Sequence, residues 1–201
     1  MTAQINDILL YDDKKLQISA INSEHPLVTL ERFGLHPVAA STACWRGYTA
    51  TLYIDAENRL GIKKLTVNLP DEVEPIAING TSGKKVKISD FENLSADEIE
   101  CLISGNTVYA NLDLPLNFTG SIIACDGFKQ EYYVHMGFHE PYKYDTVFEF
   151  FFKNGSCKEV KDLSDQAKFK RTEMKKSEHR GCMSPKKIKQ RFSLGYAEKW
   201  I

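Results

Sequence analysis

The segment TVFEFFFKNGSCKEV, residues 146–160, limits the fold more than any other. A run rich in aromatic and β-branched residues, TVFEFFFK, and a more polar one, SCKEV, flank Asn154-Gly155. Asn-Gly suits a two-residue hairpin turn because both central positions of that turn need a positive φ. The pattern recurs along the chain. Asp12 and Asp13 separate Ile8–Tyr11 from Leu16–Ser19, and DAENR turns the chain between Tyr48–Ile54 and Leu60–Leu69. Asn79-Gly80 and Ser82-Gly83 punctuate a further pair, and Asp126-Gly127 stands between GSIIACD and FKQEYYVHMGF. Short strands joined by tight turns pair antiparallel with their neighbours. The expected class is therefore α+β, a mainly antiparallel β-sheet built from hairpins, with a few short helices.

The helices are signalled by their ends. Ser95, followed three residues later by Glu98, is a capping box, in which each side chain bonds the other residue's backbone N–H. Ile99, Leu102 and Ile103 supply the apolar stripe and Gly105 the stop. Pro26 starts a short helix over 27–33 that Gly34 ends, and TVYANLDL reads as strand. Ser164 caps a helix running to about His179, and Ser184 with Pro185 starts another.

A formal net charge of −1 conceals a division. Residues 1–160 hold 14 Lys and Arg against 22 Asp and Glu, a net of −8, whereas residues 161–201 hold 12 against 5, a net of +7. Aliphatic residues thin out from Leu163 as lysines accumulate. The expected organisation is an antiparallel-sheet α+β domain over 1–162 and a basic helical segment over 163–201. Phe192, Leu194, Tyr196, Trp200 and Ile201 give that segment an apolar end, which predicts that it docks on the acidic body. No apolar run approaches the roughly 18 residues that cross a bilayer, and the opening residues lack the basic and apolar regions of a signal peptide. A cytoplasmic protein with no membrane partner is expected. The five cysteines, an odd number with no CxxC pair, are expected to be free thiols.

The motifs for reactive chemistry fail on spacing. His135 and His139 stand four apart in HMGFH. On the strand predicted for EYYVHMGF they lie roughly 13 Å apart, too far for two ligands each about 2 Å from one zinc ion. Only a bend at Gly137 rescues that pair. If Asp126-Gly127 is a hairpin turn, Cys125 and His135 are separated by roughly 23 Å, whereas a nucleophile needs its base within about 3 Å. NGTSGKK carries Lys85 where a phosphate loop needs Ser or Thr, and DAENRLG places Arg59 at a calcium-ligand position. No metal or other cofactor is expected.

STACWRGYTATLYI, residues 41–54, is the densest stretch. Trp45 is expected to be a buried anchor at the end of the sheet, and Gly47 marks a bulge or a close backbone approach. Arg46 either pairs with a carboxylate or binds an anion on a partner. Trp45, Arg46, Tyr48, His135 and His139 are the candidate binding residues, with a purely structural corner as the alternative for the first three. The stretch, together with CDGFKQEYYVHMGF and FEFFFKNGS, resembles uncharacterised bacterial proteins that carry a Ser-Thr, Trp-Arg-Gly-Tyr strand motif. The resemblance covers residues 41–69, extends loosely to 119–160, and brings no activity with it. What it implies is an immunity-type protein, of the kind encoded beside a toxin. Three functional expectations follow. The first is a non-enzymatic module whose acidic surface binds a basic protein partner. The second is nucleic-acid association through residues 168–191. The third is an enzyme with scattered residues near Arg46 and His135.

Overall fold

The computed structural model describes residues 2–87, 92, 94–176, 193 and 194. Ten strands form one sheet: β1 (Ile8–Tyr11), β2 (Lys14–Asn22), β3 (Tyr48–Ile54), β4 (Leu60–Val67), β5 (Lys84–Lys85), β6 (Thr107–Tyr109), β7 (Leu114–Pro115), β8 (Gly120–Phe128), β9 (Tyr144–Lys153) and β10 (Ser156–Asp162). Among the described residues, the helices α1 (Ala96–Cys101) and α2 (Ser164–Lys176) accompany the sheet. Strand order is β10-β9-β8-β2-β1-β3-β4-β6-β5, with β7 beside β4. Every pairing between these strands is antiparallel except β1 with β3, which the long connection 23–47 makes parallel. The α+β class with a dominant sheet is the observed architecture, and the sheet is mixed by this one pair.

Expected turns are realised at 12–13, 55–59, 79–80 and 154–155, the two-residue ones by residues that tolerate left-handed backbone. Asp12 and Asp13 have φ of 49° and 61° between β1 and β2, and Asn154 and Gly155 have φ of 50° and 78° between β9 and β10. The β9–β10 turn also closes the sheet on itself. Arg59 bridges to Ser156, Leu60 N–H donates to Gly155 O at 2.8 Å, and Cys157 N–H donates to Asn58 O at 2.7 Å. The sheet thus curls until its β9–β10 hairpin meets β4. Leu9, Leu16, Leu52, Ile62, Ile122 and Phe150 belong to the main core cluster, each fully out of solvent.

Alternation supplies a second layer. On β8, Ile122 and Ala124 belong to the main core, while Ile123 and Cys125 pack with Val147, Tyr144, Leu163 and Ala167 beneath α2. A bulge between Ile18 and Ala20 shifts β2 by one residue, so that Ile18 lies in the main core and Ala20 in the cluster beneath α2. α1 covers Val86 and Val108 through Cys101.

Several sequence expectations are corrected. Asp126-Gly127 is not a hairpin turn: β8 runs through it, with Asp126 opposite Thr146 and Phe128 opposite Tyr144. Strand structure then stops. Residues 129–143 form a loop with short 3-10 turns at Gln130–Tyr132 and Pro141–Lys143, so FKQEYYVHMGF is not a strand. The helix expected over 27–33 is a single 3-10 turn, Leu30–Phe33, closed by Gly34 at φ 68°. In α1 the capping box forms, with Ser95 N–H donating to Glu98 at 2.9 Å, but Ile103 is exposed and Cys101 takes the buried place. Of the basic segment, α2 and residues 193–194 are described. Leu194 is buried, and its carbonyl accepts from Ile21 N–H at 2.8 Å. Phe192, Tyr196, Trp200 and Ile201 lie outside the described residues. No helix among the described residues is long and apolar enough to cross a membrane.

Candidate functional site

Arg46 stands just before β3 because Gly47, at φ 71°, lets the chain press against the preceding loop; a Cβ there would lie 2.1 Å from Val38 O. From this position the guanidinium reaches the N-terminal segment. Nη1 donates to Asp7 Oδ2 at 2.8 Å and Nη2 to Asp7 Oδ1 at 2.7 Å, a bidentate pair. Nε donates to Tyr48 O at 2.9 Å and Nη2 also to Ile5 O at 3.3 Å. The guanidinium carbon lies over the rings of Tyr48 and Phe138, 4.7 and 5.5 Å from their centres. The Asp7 side chain is 3% exposed and also accepts from Ala50 N–H at 2.7 Å. Burial is the largest influence and opposes the Arg46 charge, but Asp7, Tyr48 and Cys44 together outweigh it and hold the pKa above the ordinary value. Burial and the same carboxylate push the Tyr48 phenol up to about 12. Arg46 is thus consumed in tying the N-terminal segment to β3. Beside it lies a cleft of about 450 Å³, bounded also by His25, Phe138 and Leu194.

The histidines are brought toward the same segment by their loop. Gln4 N–H donates to Gly137 O at 2.8 Å, and Gly137 itself has φ 63°. The bend at Gly137 therefore exists, and the strand spacing expected for His135 and His139 does not apply. Both rings contact Tyr133, at 4.8 Å for exposed His135 and 5.2 Å for buried His139. His139 also stacks on Phe128 at 4.6 Å. Its backbone carbonyl accepts from the Ser19 hydroxyl, which stands at the β2 bulge. Cys125 lies nearby, fully buried; burial drives its thiol well above the ordinary range despite the Ser19 hydroxyl. That is the reverse of an activated nucleophile. Among the described residues no group of three or more His, Cys, Asp or Glu side chains is placed to hold a metal ion.

Trp45 departs from expectation. It is 51% exposed, so it does not anchor the sheet by burial. Its backbone N–H donates to Gln4 Oε1 at 3.1 Å, so the residue is held at the backbone while about half of it remains exposed. The two stretches singled out in the sequence therefore converge on residues 3–7, yet they play different parts. Arg46, Tyr48 and His139 build the scaffold, whereas Trp45 and His135 are presented to solvent. Sequence reasoning missed Asp7, whose lone carboxylate in QINDILL carries no local mark of its partner 39 residues away. Comparison with family models, with curated proteins and with solved structures finds no match in any of the three, so no residue role is carried over from a relative.

Proposed function

We propose that this chain is a non-enzymatic protein-binding module of the immunity type, which holds a basic protein partner against its acidic body. The observation that carries the reading is the charge of residues 1–160, a net of −8, with the carboxylates of Glu31, Asp71, Glu72, Glu74, Asp126 and Glu131 among those at the surface. A surface of one dominant sign steers an oppositely charged partner and rejects like-charged ones. The state of the candidate groups adds support: Arg46 is neutralised by Asp7, and Cys125 is held as a neutral thiol.

The test is a growth assay. The product of the gene beside this one is expressed alone and together with this chain. The reading predicts growth arrest in the first case, growth in the second, and a one-to-one complex of the two proteins. A harmless neighbour, or rescue without a complex, contradicts it. Turnover of a small substrate that is lost on Arg46→Met in a folded protein favours an enzyme instead.

A further inference from the structure

We infer that the partner is held at one end of the sheet, by the loops that meet beside the start of β3, through an apolar centre with a carboxylate rim. This rests on the protein-binding reading above and specifies its surface. Tyr48, Val67 and Thr107 sit side by side across β3, β4 and β6, so the chain enters or leaves all three strands at that end. The connections there, 23–47, 68–83 and 102–106, hold most of the large exposed apolar side chains among the described residues: Val38 at 45%, Trp45 at 51%, Val73 at 40%, Ile76 at 46% and Ile103 at 59%. Apolar side chains gathered at one end, rather than scattered singly, mark an interaction site.

The loops are fixed to one another before any partner arrives. Val38 N–H donates to Asn68 O at 2.9 Å, and Asn68 N–H donates to Gly47 O at 2.7 Å. The Ser41 hydroxyl donates to Ile103 O at 3.4 Å, which brings the loop of Trp45 against that of Ile103. Tyr109 donates to Ile76 O at 2.8 Å, and Asn106 Nδ2 donates to Leu69 O at 2.7 Å. A surface already ordered loses less entropy on binding, so more of its contact energy appears as affinity.

The rim selects the partner's charge. These connections carry Glu24, Glu31, Asp71, Glu72 and Glu74 against Arg32 and Arg46, and Arg46 is already matched by Asp7. Lys85, on the adjoining β5, bonds Asp71 O and stands 3.5 Å from Glu74, leaving Glu72 exposed with no cation paired to it among the described residues. The fitting occupant is a protein face with apolar side chains ringed by lysine or arginine. An exposed aromatic beside apolar neighbours is the usual centre of such an interface.

The probe is a peptide of alternating leucine and lysine, titrated into the full ¹⁵N-labelled chain, with the leucine–glutamate peptide as the opposite charge. The expected result is amide shifts concentrated in residues 36–47, 70–78 and 102–106. Binding should weaken by about tenfold or more in the pair Trp45→Ser with Ile103→Ser, and again in Glu72→Lys with Glu74→Lys. All four side chains are at the surface, and a melting curve confirms that each variant is folded. Shifts centred elsewhere, with both variants binding like the parent, overturn the surface while the acidic-body reading stands. Equal binding of the two peptides, or none, overturns the reading itself and the surface with it.

Discussion

At the scale of single residues, the Asp7–Arg46 pair is the contact on which the neighbourhood depends. A buried bidentate pair contributes little when intact, but removing one partner strands a charge. Arg46→Met, which leaves Asp7 3% exposed and without its cation, is expected to cost about 3–5 kcal/mol in denaturant melts. Exchanging both residues for apolar ones should cost much less, and a single variant as stable as the parent contradicts the assignment. Tyr48 makes a pH-dependent case. Its phenol is raised to about 12 from an ordinary 10.0, so the folded state holds the proton more tightly than the unfolded chain. The sign follows: its contribution is intact below pH 10 and lost as pH rises from 10 toward 12. Absorbance of tyrosinate at alkaline pH should therefore show a group that ionises only as the protein unfolds. A smooth titration of every tyrosine near 10, without unfolding, argues against it.

At the scale of elements, turns written in adjacent residues were legible and those decided by distant pairing were not. Asp12-Asp13 and Asn154-Gly155 form hairpins because their own backbone preferences suffice. Asp126-Gly127 carries the same local chemistry, but β9 pairs with β8 across a long loop and holds that dipeptide inside a strand. The exposure of Trp45 was illegible for a similar reason: whether a ring at the end of a strand is covered depends on loops far away in sequence. The capping box of α1 was readable because it lies within four residues. The β9–β10 turn is expected to matter beyond its own hairpin. Gly155 has φ 78°, and a Cβ there would lie 2.2 Å from Leu116 O, so Gly155→Ala opposes both the turn and the closure of the sheet onto β4. Strain of this kind costs about 1–3 kcal/mol, and faster amide exchange at Leu60 and Cys157 should accompany the loss of stability. Unchanged exchange at both positions contradicts the closure.

At the scale of the whole molecule, the division into an acidic body and a basic segment was plain from charge, while its geometry rests on a few described contacts. Leu163 and Ala167 are buried in the cluster beneath α2, and Arg171 donates to Tyr142 O at 2.7 Å. Leu194 is 6% exposed. Deleting residues 192–201 removes Leu194 and is expected to lower stability by roughly 1.5–3 kcal/mol for that side chain alone. A truncated chain that melts like the full one contradicts docking at that point. The proposed hold of the acidic body on a basic protein is tested by the native mass of the chain isolated from its own cells, at low ionic strength and at about 1 M salt, where charges more than about 3 Å apart are screened. A one-to-one complex with a protein of net positive charge is expected at low salt, and a smaller share of the chain in that complex at high salt, because salt weakens the carboxylate rim and not the apolar centre. A chain that is alone at both, or bound to nucleic acid or to an acidic protein, contradicts it.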